Sequence, residues 1–224
     1  MIAAPSFRFD EAEHAYYLDG KRIPSITQLL DMGGLVNGAA YFTEESRRRG
    51  TEVHALCADW DMGALDPSVL TSNESWASLA KGEISRRPYL MAYMAACAAL
   101  KPKWEAIEEA DVHPRYGFAG RTDRVGIVLG KQTVLEIKSG AKPSVLRTVT
   151  DCEGNTFTYQ HPTNQHAIQT ALQSELATVR WPLPAEHWQR LVLYLKPSGK
   201  FSVERHEDRR DFDVAMDLIR RFCR

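Results

Sequence analysis

The chain has 224 residues and a formal net charge of −1, with 44% hydrophobic and 25% charged residues. That length is enough to bury a core without disulfides or structural metals, and the composition is that of an ordinary globular protein. A near-neutral charge does not mark a nucleic-acid binder, because such proteins usually carry a basic surplus.

Membrane and secretory classes find no support in the sequence. No apolar run is long enough for a membrane span, and the first residues lack the basic-then-apolar pattern of a secretory signal. The four cysteines are far apart and form no C-x-x-C pair, which argues against a zinc site and for reduced thiols. We therefore expect a soluble, cytoplasmic protein of one domain over residues 1–224.

The first half of the chain is predicted to be mainly helical after an opening hairpin. Asp19-Gly20 suits a tight turn between two short strands. Ser25 with Gln28 has the capping-box form ahead of a helix, and the stretches 44–62 and 87–100 have helical composition. This N-terminal part is assigned to residues 1–104.

Short strands dominate the second half. Four runs rich in β-branched or aromatic residues are predicted strands, at 118–129, 134–138, 188–196 and 201–205. Helices are predicted at 164–179 and 212–222, and the stretch from Gly140 to Pro162 is predicted to be a long polar loop with a turn at Gly154-Asn155. The predicted fold is α/β, with a central mixed β-sheet flanked by helices: a core over 105–206 and a C-terminal helix over 207–224.

Two neighbouring predicted strands carry a pattern with chemical meaning. Asp123 closes Gly120-Arg-Thr-Asp123, and Glu136-Ile-Lys138 follows 13 residues later. Residues two apart on a strand share a face, so Glu136 and Lys138 project together while Ile137 is buried. Two carboxylates and a backbone carbonyl suit Mg²⁺ or Mn²⁺. A Glu-x-Lys pair is also common on solvated strands, but the apolar flanks here make that reading weaker.

With these motifs the sequence resembles the PD-(D/E)XK nuclease superfamily. Within it, the resemblance is to the RecB-like and phage-type exonuclease branch that includes the mitochondrial genome maintenance exonuclease. The resemblance covers roughly residues 45–195 and lies in an ordered set of motifs. These are Arg49-Gly-Thr-Glu-Val-His54, Glu108, Gly117-Phe-Ala-Gly-Arg-Thr-Asp123, Glu136-Ile-Lys138 with Ser139-Gly140, and Gln165-His-Ala-Ile-Gln169.

The resemblance implies a metal-dependent DNA exonuclease. It assigns Asp123, Glu136, the carbonyl of Ile137 and His54 to the metal, and Lys138 to the attacking water. Glu108 and Gln169 join the catalytic set by the same comparison. The family often has Tyr where this chain has Gln173. Gln165, Gln169 and Gln173 otherwise form a polar helical stripe.

DNA contacts are expected from basic and aromatic residues around these motifs, which also fit a solvated surface. They are Arg47, Arg48, Arg49, Arg121, Arg124 and Tyr116, with Phe118 as a second aromatic. A phage or prophage role in recombination, replication or repair, a single-strand annealing protein as partner and a homo-oligomer follow from the resemblance alone. The alternatives are a structure-specific or restriction-type endonuclease with the same site, and a non-catalytic nucleic-acid-binding protein on the same fold.

Overall fold

The computed structural model describes residues 6–36, 43–65, 86–140, 146–150, 156–160 and 165–223. We number its helices and strands in chain order. They are β1 (Phe7–Asp10), β2 (Ala15–Leu18), β3 (Lys21–Ile23), α1 (Ile26–Met32), α2 (Glu44–Asp61), α3 (Arg87–Leu100), β4 (Lys103–His113), β5 (Phe118–Val128), β6 (Lys131–Ser139), β7 (Leu146–Thr150), β8 (Thr156–Gln160), α4 (Gln165–Ala177), β9 (Gln189–Leu195), β10 (Phe201–His206) and α5 (Arg210–Phe222).

A five-stranded mixed sheet forms the centre of the fold, in the order β10-β9-β6-β5-β4. The β6–β9 pair is parallel and the other pairs are antiparallel. A three-stranded antiparallel sheet of β1, β2 and β3 packs through Tyr16 and Ile23 against Ala119 of β5. The predicted α/β class, with a mixed central sheet and an N-terminal hairpin, is confirmed.

Local sequence explains the first elements. Asp19 and Gly20 both adopt positive φ angles, 50° and 76°, as a tight turn between β2 and β3 requires. The capping box of α1 is formed: Ser25 Oγ accepts the N–H of Gln28 at 3.1 Å, and Gln28 Oε1 accepts the N–H of Ser25 at 2.8 Å. Short-range signals therefore set the path of the chain into the main sheet.

Helices cover both faces of the central sheet. On one face, α2 and α3 pack apolar residues such as Leu56 and Tyr93 against Leu135 and Ile137 of β6. On the other face, α4 packs on the sheet and is itself covered by α1 and α5. The odd and even residues of β6 thus serve different layers, and Glu136 and Lys138 face α4.

The stretch from Gly140 to Pro162 differs from its prediction. It contains β7 and β8, which pair from Leu146–Gln160 to Thr150–Thr156, so the prediction of a continuous loop is wrong for these residues. Polar composition hid two runs that are rich in β-branched residues. The predicted turn at Gly154-Asn155 lies outside the described residues. Among those described, β1 and β4 were not predicted as strands from periodicity.

Three cysteines of the described chain, Cys57, Cys97 and Cys223, are free thiols. Within the described ranges, none of the helices is both long enough and apolar enough to traverse a bilayer.

Candidate functional site

The central sheet opens where β5 and β6 part. Their pairing runs from Val128–Lys131 to Arg124–Leu135 and ends there. Just beyond, Asp123 Oδ2 accepts the N–H of Ile137 at 2.6 Å, and His54 Nε2 lies 3.1 Å from the carbonyl oxygen of Ile137. A carboxylate and an imidazole therefore engage main-chain groups that face the neighbouring strand.

Three possible metal ligands meet at this opening. His54 Nδ1 lies 3.1 Å from Glu108 Oε1 and 3.4 Å from Asp123 Oδ1, and the ligand atoms of the three residues lie within 4.8 Å of one another. Both ring nitrogens of His54 face hydrogen-bond acceptors. Only a protonated imidazole can donate from both nitrogens at once. Burial opposes that charge, but Asp123 and Glu108 together hold the pKa of His54 well above its usual value. The carboxylates of Asp123 and Glu108 thus favour positive charge at this position, as the ligands of a divalent metal ion would.

Glu108 reaches the site through an irregularity in β4. Its φ angle is 51°, in the left-handed region that residues other than glycine rarely adopt. Ala106 and Glu109 both lie on the α4 side of the sheet, which regular alternation forbids for residues three apart. The backbone at Glu108 is therefore strained so that its carboxylate meets His54 on α2. Such strain costs on the order of 1 kcal/mol and is common at functional sites.

A second polar group lies on the α4 side of Asp123. Glu136 Oε1 accepts from Lys138 Nζ at 2.6 Å and from Gln169 Nε2 at 2.7 Å, and Glu136 Oε2 accepts from Gln173 Nε2 at 2.6 Å. Lys138 also donates to Gln169 Oε1 at 3.3 Å. The side chain of Lys138 is 30% exposed, whereas that of Glu136 is 5% exposed. Lys138 is the solvent-facing member of this group.

The electrostatic states of these groups follow from their neighbours. Burial raises the pKa of Asp123, as does repulsion from Glu136, against the attraction of His54. Burial also opposes the charge of Glu136, but Lys138 and Gln173 outweigh it and lower the pKa of that carboxyl. Glu136 and Asp123 in turn raise the pKa of Lys138, although partial desolvation opposes its charge. The site therefore holds charges of both signs close together, and the two carboxylates Asp123 and Glu136 are buried.

Arg124 supports the site from within the core. Arg124 is 0% exposed, and its Nε donates to Asp61 Oδ2 at 2.6 Å. Its Nη1 donates to Glu108 Oε1 at 3.1 Å and to the carbonyl oxygen of Asp123 at 2.6 Å. Tyr93 donates to the same oxygen of Asp61 at 2.5 Å. The expected DNA contact does not fit this position, because the guanidinium faces protein on all these sides.

The other residues expected to contact DNA lie at the surface or near it. Arg48 is exposed and pairs with Glu45, while Arg47 is exposed one residue before it. Arg49 is half-buried, and its Nε donates to the carbonyl oxygen of Ser139 at 3.3 Å, next to Lys138. Of the three arginines, Arg49 lies nearest to the site.

Arg121 and Tyr116 lie further along β5 and the turn before it. The Arg121 guanidinium lies 5.2 Å from the centre of the Phe9 ring and 3.7 Å from Glu11. Tyr116 is half-buried and stacks on His113 at 4.3 Å between ring centroids. Arg121 therefore borders the N-terminal sheet, whereas Tyr116 packs against the core formed by α1, α4 and α5.

The structure brings together most of the residues assigned by the family resemblance. They fall into two groups on either side of Asp123: His54, Glu108 and the Ile137 carbonyl on one, and Glu136, Lys138 and Gln169 on the other. Sequence reasoning did not identify Asp61, which holds Arg124. Asp61 follows His54 by seven residues, two helical turns on the same face of α2, and this spacing was the available signal.

Comparisons with known proteins add little. No protein-family model and no curated protein matches the chain. Among solved structures, a candidate exonuclease from Eubacterium rectale is similar over 86% of this chain and 68% of its own, with 11% sequence identity and a TM-score of 0.46. A likeness of this degree carries no argument about function, so the functional case rests on the site itself.

Proposed function

We propose that this chain is a divalent-metal-dependent deoxyribonuclease that hydrolyses phosphodiester bonds from DNA ends. The observation that carries the proposal is the opening between β5 and β6, where Asp123 meets His54 and Glu108 on one side and Glu136 with Lys138 on the other. Carboxylates for a hard cation beside a solvent-facing lysine are the groups that phosphodiester hydrolysis needs. The preference for DNA ends comes from the family resemblance.

The donor set fits Mg²⁺ or Mn²⁺. His54, Glu108 and Asp123 would hold the ion, with the Ile137 carbonyl and Glu136 as adjacent oxygen donors. When bound, such an ion lowers the pKa of water and offsets negative charge on phosphate. Burial of Asp123 and Glu136 limits the water around these carboxylates, which strengthens their hold on a cation.

Lys138 would be the residue that acts on substrate. An ammonium group has three donors, and two of them are used by Glu136 and Gln169. No residue in the described part of the chain accepts from the third, which would donate to the attacking water or a phosphate oxygen, where positive charge stabilises the charge that develops during hydrolysis. Glu136 and Gln169 fix the position of the amine, so that it reaches substrate without a large loss of side-chain entropy.

Arginines at the start of α2 would bind the DNA backbone. Arg49 is held beside Ser139, and Arg47 and Arg48 directly precede it near the start of α2. Contacts to phosphate position DNA without reading sequence, which suits an enzyme acting on ends of any sequence. Such contacts make affinity fall with added salt.

The test is cleavage of end-labelled linear duplex, linear single-stranded and closed circular DNA, with Mg²⁺, Mn²⁺ or EDTA. We expect metal-dependent loss of linear DNA only, abolished by Lys138→Ala. Lys131→Ala, at the exposed start of the same strand, is the matched control and should retain activity. Cleavage of closed circles would indicate an endonuclease. DNA binding without cleavage would indicate a non-catalytic binding protein on this fold.

A further inference from the structure

The second oxygen of Glu136 is held by a residue outside the family pattern. Gln173 Nε2 donates to Glu136 Oε2 at 2.6 Å, while Oε1 of the same carboxylate is occupied by Lys138 and Gln169. Gln169 and Gln173 lie one turn apart on α4 and grip the two oxygens separately. The orientation of the Glu136 carboxylate is therefore fixed from both ends.

Gln173 makes this contact at a cost. The residue is 1% exposed, and within the described part of the chain its Oε1 is buried without a hydrogen-bond partner. Rotating the amide by half a turn would put that oxygen against the carboxylate of Glu136, so the observed orientation is the favourable one. A methionine has similar length and would bury no unpaired oxygen. Packing alone therefore does not explain a glutamine here.

The helix that carries Gln173 is itself firmly held. Ile168, Leu172 and Leu176 of α4 pack in the core formed with α1 and α5. An amide mounted on a packed helix transmits a fixed position to its partner, whereas a lysine partner alone would let the carboxylate turn. A carboxylate oxygen can accept two hydrogen bonds, and among the described residues Gln173 supplies the one that Oε2 accepts, which leaves a second acceptor position there.

We propose that Gln173 is a positioning residue: it fixes Glu136 so that the free acceptor position of Oε2 faces the cation site beside Asp123. The inference rests on the proposed function, because it concerns how this chain holds the ion of that reaction. It assigns to Gln173 a role in ion affinity that acts only through Glu136. Gln173 itself contacts neither ion nor DNA.

The test is a double-mutant cycle read by Mn²⁺ titration calorimetry on the full chain. We expect Gln173→Met to weaken Mn²⁺ binding by about tenfold, the lower end of the range for residues that orient metal ligands. In a Glu136→Gln background the same substitution should change Mn²⁺ affinity by less than about twofold, since the partner carboxylate is absent. An equal loss in both backgrounds, or no loss in the first, would overturn the inference.

Gln132→Met is the matched control. Gln132 lies at the opposite end of β6 and also has a buried Oε1 without a partner in the described chain, so the control removes a similar group away from the site. It should leave Mn²⁺ affinity unchanged. A matching loss in this variant would show a general effect of such substitutions and overturn the assignment to Gln173.

A second readout needs no metal. The side-chain amide signals of Gln173 in ¹⁵N–¹H spectra should shift between wild type and Glu136→Gln, while those of Gln132 stay in place. Unmoved Gln173 signals would overturn the inference. A wild-type protein that binds no Mn²⁺ but shows the amide shift would refute the proposed metal site and leave the Glu136–Gln173 contact established.

Discussion

Glu108 and Glu109 are neighbours on β4 yet serve opposite faces of the central sheet. Glu108 contacts His54 and Arg124 on the α2 side, and Glu109 pairs with Arg180 on the α4 side. The positive φ angle at Glu108 determines which of the two carboxylates enters the site. Glu109 therefore provides a control for Glu108, because the same side chain occurs once inside the site and once outside it.

Glu108→Gln should weaken Mn²⁺ binding at least tenfold, because it removes the negative charge of one of the proposed ligands His54, Glu108 and Asp123. Glu109→Gln is the matched control and should bind Mn²⁺ as the wild type does. Calorimetric titration of both variants provides the comparison. Equal affinities in the two variants would remove Glu108 from the ligand set.

Arg124→Met should destabilise the fold rather than weaken DNA binding. The substitution leaves Asp61 and Glu108 without their buried cation, and breaking a buried ion pair from one side costs about 3–5 kcal/mol. Urea unfolding measures the loss. Arg121→Met, at an exposed position, should change the free energy of unfolding by no more than about 0.5 kcal/mol. A stable Arg124→Met protein with reduced DNA affinity would restore Arg124 to the DNA surface.

His166 should make the fold sensitive to mild acid. Burial, and next the positive charge of Lys138, lower the pKa of His166 from 6.5 to about 3. Its Nδ1 lies 2.9 Å from the hydroxyl of Tyr194, and Glu136, Glu204 and His206 are further charged or titratable groups that act on it.

Because the folded protein keeps His166 neutral, only the unfolded chain takes up the proton as pH falls below about 6.5. The contribution of His166 to stability should therefore be full above pH 6.5 and decline between pH 6.5 and 3 by about 1.4 kcal/mol per pH unit. Urea unfolding between pH 7.5 and 5.5 measures the slope. His166→Gln should flatten it, and His187→Gln at an exposed position should not. A wild-type slope in His166→Gln would refute the assignment.

Substituting alanine for two glycines, Gly126 and Gly50, should change the free energy of unfolding in opposite directions. At Gly126 an added Cβ would overlap the carbonyl oxygen of Lys103 and lie 2.8 Å from Cα of Trp104, so Gly126→Ala should cost roughly 3 kcal/mol. At Gly50, within α2, the nearest atom would be Ser139 Oγ at 4.0 Å, so Gly50→Ala should stabilise the helix by up to about 1 kcal/mol. Thermal unfolding of both variants provides the check, and the same sign in both would contradict it.

Much of the fold could be predicted from short-range signals. The α3 helix occupies the predicted residues 87–100, and the turn at Asp19-Gly20 and the capping box at Ser25 form as expected. These features depend on a few consecutive residues and on backbone preferences that tertiary contacts here reinforce. The β7–β8 pair was missed because the stretch from Gly140 to Pro162 is polar as a whole, although Phe157 and Tyr159 alternate with polar residues along β8.

The site was less accessible to sequence reasoning, and the reasons are physical. Arg124 follows Asp123 in a motif that looks suited to phosphate, yet strand alternation turns it into the core toward Asp61. The use of Glu108 depends on one strained φ angle that no neighbouring residue announces. Gln173 belonged to a polar helical stripe, and only the packing of α4 on the sheet shows that this stripe faces Glu136.

The two carboxylate oxygens of Asp123 have different partners, one in the sheet and one in the candidate metal site. Oδ2 closes the gap between two strands by binding the Ile137 N–H, and Oδ1 faces His54. Displacing this carboxylate would therefore also disturb the contact between β5 and β6. Because one carboxylate both joins the two strands and lines the candidate metal site, a substitution at Asp123 should alter the sheet and the site together.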